Sequence, residues 1–174
     1  MSSPSIGVFY GSDTGNTQRV AELICEELKP LEIEAKDIDE CSVEDMLAPD
    51  VIMMGVSTWD IGHIQYSWED KLEDLAKADL AGKKVAIFGL GDSVGYPDTF
   101  VDGMGILWES LGQERPEIVG VWPTEEYEFD DSRGKFDDDN FLGLVIDEDS
   151  EPDKTEDRVK RWAAKLKQEL ELDA

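Results

Sequence analysis

The sequence predicts an α/β protein built on an open parallel sheet with helices on both faces, and three observations carry that expectation. Residues 51–56, 85–88 and 118–122 are continuous apolar runs, the pattern of strands buried on both faces. Between the apolar runs lie stretches whose apolar residues recur at helical spacing. Alternation of this kind demands crossover connections, because parallel neighbours cannot be joined by tight turns. Finally, a glycine-bearing loop at residues 11–17 leaves the first strand and opens the first helix, the place where open sheets bind ligands.

The elements follow in order. Ile6, Val8 and Phe9 form a short first strand. Val20, Leu23, Ile24, Leu28 and Leu31 then define a helix that Pro30 brings to an end. Residues 33–38 predict a second strand and residues 43–47 a small helix stopped by Pro49. The third strand is 51–56, and a helix over 68–78 leads to the fourth at 85–88. Residues 97–111 predict a further helix, with Phe100, Met104, Leu107 and Leu111 on its apolar stripe. A fifth strand at 118–122 is followed by an acidic segment, 124–140, and a second apolar piece, 141–146. The last helix carries Val159, Trp162, Ala163, Leu166 and Leu170, with Pro152 and Thr155 near its start.

Composition narrows the function. The chain has 174 residues, enough for one domain with a sizeable core. Its 16 basic and 42 acidic residues give a net charge of −26. Such a surface repels nucleic acid and anionic lipid and favours basic protein partners, although acidity also serves solubility alone. Two cysteines and one histidine exclude a disulfide framework and multi-histidine metal chemistry. The N-terminus resembles no signal peptide and no run is long enough to span a membrane, so a soluble, cytoplasmic monomer is expected.

Three loops leave the C-terminal ends of the predicted strands: residues 11–17, 57–66 and 89–99. One ligand should touch all three. In the first, Gly11 and Gly15 permit a sharp turn, and Ser12, Thr14, Asn16 and Thr17 offer donors beside the free N–H groups of a helix start. Only three residues separate the glycines, and Asn16-Thr17 follows where a nucleoside-triphosphate loop requires Lys-Ser/Thr. The stretch therefore fits a phosphate monoester held by neutral donors, or else an ordinary capped helix. The second and third loops bring Trp59 and Tyr96, two aromatics that together frame a slot for a flat ring. Gly89, Gly91 and Gly95 do not make a dinucleotide fingerprint, because they follow a late strand at the wrong spacing.

On these residues the chain resembles the long-chain bacterial flavodoxins, through segments 6–17, 57–68, 89–100 and 121–158. The resemblance implies a flavodoxin-like three-layer sandwich over residues 1–174, with a five-stranded parallel sheet of order 2-1-3-4-5. The last strand would be interrupted by the long-chain insertion, here 124–140. It implies one non-covalent FMN whose phosphate is held by Ser12, Asp13, Thr14, Gly15, Asn16 and Thr17. Trp59 and Tyr96 would flank the isoalloxazine, with Ser57 and Thr58 in the same loop as Trp59. Backbone groups of Asp60, Ile61 and Gly62, and of Gly89, Leu90, Gly91 and Asp92, would meet the ring edge. Thr99 and Asp149 match positions near the ring or ribityl chain.

Two departures from the family pattern stand out. His63 occupies a position where an acidic residue is common, so it is either a solvated loop residue or a group that makes the local field less negative and pH-sensitive. Thr99 replaces a more usual asparagine-like residue. The implied function is a low-potential one-electron carrier that shuttles between neutral semiquinone and hydroquinone, aided by a turn of the Asp60–Ile61 peptide. It would serve basic redox partners such as a ferredoxin/flavodoxin-NADP reductase and reductant-requiring enzymes. A flavin-dependent NAD(P)H:quinone reductase on the same fold is the alternative. A signalling receiver domain would need clustered carboxylates at strand ends that here read Tyr10-Gly11-Ser12 and Val56-Ser57-Thr58.

Overall fold

The computed structural model describes residues 5–12, 15–29, 31–59, 61–111 and 116–172. Its centre is a parallel sheet in which β1 (Ile6–Tyr10) lies between β2 (Ala35–Asp37) and β3 (Val51–Trp59). β3 also pairs with β4 (His63–Ile64), antiparallel, and with β5 (Lys84–Leu90), parallel. The outer edge of β5 is covered twice in the same sense, first by β6 (Glu117–Val119) and then by β9 (Leu144–Ile146). This is the expected five-strand order with its last strand in two halves, and the insertion occupies the gap.

Side-chain alternation places the helices. Phe88 meets the ring of Trp162 on α6 (Thr155–Glu169), with ring centroids 6.1 Å apart. Its neighbour Gly89 points the other way, where a Cβ would lie 2.3 Å from Met104 on α5 (Asp102–Glu109). One face of the sheet thus carries α6, which packs against α1 (Asn16–Glu27), and the opposite face carries α5. The strands between them are fully buried: Ile52, Met54, Val85, Ile87 and Phe88 have no exposed surface. α2 (Val43–Met46) opens with a capping box at Ser42 and Asp45, and its Met46 is buried in the same core.

Several boundaries differ from the sequence expectation. The helix expected over 68–78 is two short ones, α3 (Tyr66–Glu69) and α4 (Leu72–Ala76). A continuous helix would stack Glu69 on Glu73 and Asp70 on Asp74, two like-charge pairs at four-residue spacing. The helix expected over 97–111 begins only at Asp102, because Pro97 O is taken by Asp130 N and Asp131 N from the insertion, and Val101 turns left-handed at φ 48°. The second strand is shorter than 33–38. The apolar runs 118–122 and 141–146 each divide, since Gly120 adopts φ 75° and lets β7 (Trp122–Pro123) pair with β8 (Asn140–Phe141) in a separate antiparallel ladder. β3 and β5 run further than expected, taking Ser57, Thr58, Trp59, Gly89 and Leu90 into the strands.

The acidic insertion has little regular structure of its own and is held by side chains. Tyr127 accepts from Trp122 Nε1 at 2.8 Å and donates to Val145 O at 2.5 Å. Tyr127, Phe129, Phe100 and Phe141 form a cluster of aromatic rings beneath it. Among the described residues no helix is long and apolar enough to cross a membrane.

Candidate functional site

A cleft of about 360 Å³ opens at the C-terminal ends of β3 and β5 and the N-terminus of α1. On one side lie Asn16 and Thr17, the first two residues of α1. Gly15 precedes them at φ 91°, no side chain among the described residues caps the helix, and its first turn holds no acidic residue. The leading N–H groups and the positive end of the helix dipole are therefore free for an anion. Ser12 Oγ accepts from Gly15 N at 2.9 Å and folds the loop back on itself. Glu148 and Asp149 stand nearby, and Arg19 on α1 reaches Glu148 at 2.6 Å, which offsets part of that negative charge.

The opposite side is built for a flat apolar body. Trp59, at the end of β3, is oriented by its Nε1 donating to Ser57 Oγ at 3.0 Å. Tyr96 comes from the loop after β5, where Asp92 Oδ1 accepts from Val94 N and Gly95 N and Asp92 O accepts from Tyr96 N. That turn presents the Tyr96 ring, which remains 42% exposed. Leu90 and Gly91 line the cleft together with the two aromatics, and Ile61 and Val94, in the loops after β3 and β5, are exposed.

Asn16, Thr17, Ser57, Thr58, Trp59, Leu90, Gly91, Asp92, Tyr96 and Asp149 thus line one cleft. Thr58 Oγ1 also accepts from Gly103 N at 2.8 Å, so it fixes the start of α5 as well. Other expected residues lie elsewhere. Gly89 lies within β5: its backbone pairs with Val56 and Val145 in the sheet, and its missing side chain makes room for Met104. Thr99 packs under the turn at Gly62, 3.2 Å from where a Cβ of Gly62 would sit, and does not line the cleft. Ser12, Gly15, Ile61 and Gly62 belong to the same loops but are not among the residues that line the cleft. Asp13, Thr14 and Asp60 lie outside the described residues.

Sequence reasoning missed three contributors. Trp59 pairs with His63 on the antiparallel β4, and Gly62 just before it adopts φ 76°, a conformation that glycine takes without strain. Gly62 followed by an apolar-polar alternation was the available signal. Asp147 is fully buried and accepts from Ser93 N (3.1 Å), Ser93 Oγ (2.6 Å) and Ser150 N (2.9 Å). It fastens the third loop to the end of β9, and nothing in the sequence distinguishes it from the other acidic residues around it. Glu148 lines the cleft beside Asp149 for the same reason of chain path. Burial and the neighbouring Asp92, Asp147 and Glu148 raise the Asp149 carboxyl above the usual range. Burial also pushes the Cys25 thiol up to about 11, which leaves it without a thiolate to react.

These features define a class: an open α/β domain whose strand ends combine an anion-binding helix start with an aromatic slot. The Flavodoxin family profile matches residues 8–162. Flavodoxin 1 of Escherichia coli K12 is 41% identical over 167 residues, covering 96% of this chain and 95% of that protein. The flavodoxin of Synechococcus elongatus is 44% identical over 168 residues, covering 96% and 98%. Among solved structures, the Fusobacterium nucleatum flavodoxin bound to flavin mononucleotide superposes with a TM-score of 0.88 at 23% identity, covering 95% of this chain and 98% of that one. The chain belongs to the flavodoxin family.

Proposed function

We propose that the protein is a one-electron carrier whose working group is a non-covalently bound FMN. The observation that carries this reading is the convergence, in one cleft, of an uncapped helix N-terminus with Trp59 and Tyr96 from two neighbouring strand ends. The dimensions and chemistry of the cleft fit the group: neutral donors and a helix dipole for a phosphate monoester, apolar faces for a flat ring. Bound FMN supplies the capacity to take up and release electrons singly.

The chain's own residues do the rest. Asn16, Thr17 and the α1 amides anchor the phosphate, and Ser12, Asp13, Thr14 and Gly15 complete the loop around it. Trp59 and Tyr96 exclude water from the ring faces, while backbone groups of Asp60, Ile61, Gly62, Gly91 and Asp92 meet the ring edge. Carboxylates at Asp92, Glu148 and Asp149 disfavour each increment of negative charge in the cleft, so the second electron should enter at low potential. The exposed Ile61 and Val94 of the two ring loops, inside a chain of net charge −26, suit docking by redox proteins with basic surfaces, a ferredoxin/flavodoxin-NADP reductase among them. A cytoplasmic setting goes with that reading.

Titration of the purified apoprotein with FMN should give one-to-one binding with quenched flavin fluorescence. Anaerobic spectroelectrochemistry should then resolve two separate one-electron steps. A single two-electron wave, or no FMN binding, would refute the proposal.

A further inference from the structure

We infer that Gln65 is a positioning residue for the phosphate end of the cleft: its buried carboxamide, mounted at the start of α3, sets where the chain leaves β1 and so spaces the loop at 11–17 for the FMN phosphate. The inference rests on the proposed FMN carrier function. Glutamine is mostly a surface residue, and burying its amide costs free energy unless the amide is hydrogen-bonded. Gln65 has no exposed surface. Its Oε1 accepts from Trp68 N at 3.3 Å, and its Nε2 donates to Ser67 Oγ at 3.2 Å. Ser67 Oγ in turn donates to Asp39 Oδ2 at 2.9 Å, which ties the start of α3 to the turn after β2. The carboxamide is therefore held by both its oxygen and its nitrogen.

The first loop begins against this amide. A Cβ on Gly11 would collide with Gln65 Oε1 and would lie 3.0 Å from Gln65 Cδ and from Trp68 Cδ1, so only a bare backbone passes there. Gly11 N donates to Gly55 O at 3.2 Å, and Trp68 Nε1 donates to the same oxygen at 2.6 Å. The exit from β1 is thus clamped between β3 and α3. The far end of the loop is fixed separately, because Thr17, Val20, Ala21 and Ile24 bury one face of α1. With α1 fixed, the place of Gly11 decides how the chain spans the distance from β1 to Asn16. Gln65 also touches the ring side of the cleft, where its N donates to Ser57 O at 3.0 Å and Ser57 Oγ orients Trp59. That contact is made by backbone, so it survives a change of side chain.

The Gln65 side chain consequently acts on the phosphate end and leaves the ring contacts alone. Moving Gly11 changes donor distances around the phosphate, and hydrogen bonds weaken steeply once their geometry departs from the optimum. Losing one hydrogen bond to a charged phosphate lowers affinity by about tenfold. Stacking against Trp59 and Tyr96 needs neither the phosphate nor the loop. An amide also suits the spot because it is neutral, whereas a carboxylate behind the loop would oppose the phosphate charge.

The test uses Gln65→Ala and Gln65→Met, the second keeping most of the side-chain volume so that the fold is retained. Apoprotein of each is titrated with FMN and with riboflavin, which has the same ring and no phosphate, and flavin fluorescence is followed. Both variants should bind FMN about tenfold more weakly than wild type, and riboflavin within about twofold of wild type. The visible spectrum of the bound flavin should stay that of wild type. Equal losses for the two flavins would show a residue that only supports the fold and would overturn the inference, as would undiminished FMN affinity in either variant. A wild type that binds no FMN, or binds it no more tightly than riboflavin, would instead count against the carrier function.

Discussion

Asp147 and Arg158 are both fully buried charges, and they are held in opposite ways. Asp147 accepts three hydrogen bonds that close the third loop, so its burial is compensated. Arg158 has one ion pair, to Glu151 at 3.2 Å, and lies over the ring of Tyr127 at 4.2 Å. Its Nε and Nη1 have no hydrogen-bond partner among the described residues. A buried guanidinium so incompletely paired contributes little net stability, yet removing its counter-charge is costly. Arg158→Met should therefore stay within about 1 kcal/mol of wild type, whereas Glu151→Gln should lose about 2 kcal/mol, less than for a fully buried pair because Glu151 is partly exposed. Urea unfolding midpoints measure both, and equal losses would show that Arg158 stabilises the fold by itself.

At the scale of elements, the acidic insertion is the part whose docking depends on charge. Arg161 on α6 binds Glu126 of the insertion through two hydrogen bonds, 2.7 and 3.1 Å. That pairing holds the Glu126 carboxyl below the usual range, and hydrogen bonding from Lys154 does the same for Glu151. A lowered carboxylate stabilises the fold fully above its unfolded value, about 4.3, and loses that contribution as pH falls through the lower folded value. Asp102 runs the other way, because burial raises it. Acid should thus loosen the insertion first. In Arg161→Ala the slope of unfolding free energy with pH below about 4.3 should be shallower than in wild type, read by denaturant titration at successive pH values. The close fit of the insertion to α5 adds a steric constraint: a Cβ on Gly105 would lie 2.1 Å from Arg133 O, so the two backbones touch there.

For the whole molecule, 42 acidic side chains against 16 basic ones impose self-repulsion that the fold must withstand. The ion pairs that oppose it are mostly surface pairs, such as Lys29–Glu26 and Lys77–Glu73, which contribute little. Added salt shortens the Debye length from about 10 Å at 0.1 M toward about 3 Å at 1 M and relieves the repulsion. The melting temperature should rise with neutral salt over this range, while the association rate with a basic redox partner falls. A melting temperature that drops with sodium chloride would mean that the ion pairs outweigh the repulsion.

How far the sequence reaches is set by the range of the forces involved. Buried parallel strands have continuous apolar runs and helices have a 3.6-residue period, so the order of elements and the three ligand loops were legible from local pattern alone. Trp59, Tyr96, Asn16 and Thr17 could be placed together because open sheets gather their strand ends on one side. Local pattern does not carry the energies that decided the rest. One expected helix is two short ones, divided where its continuation would stack Glu69 on Glu73 and Asp70 on Asp74. Hydrogen bonds from the insertion to Pro97 O delay the start of another, and the bare Gly89 makes room for Met104 packing. The pairing that sets His63 against Trp59, and the loop that Asp147 closes, depend on partners 4 to 54 residues away along the chain. The sequence alone determined the sheet, the cleft and its chemical class. Only the tertiary structure decided which polar groups face each other inside it, because hydrogen bonds and ion pairs act over a few ångströms and exist only once the chain has folded.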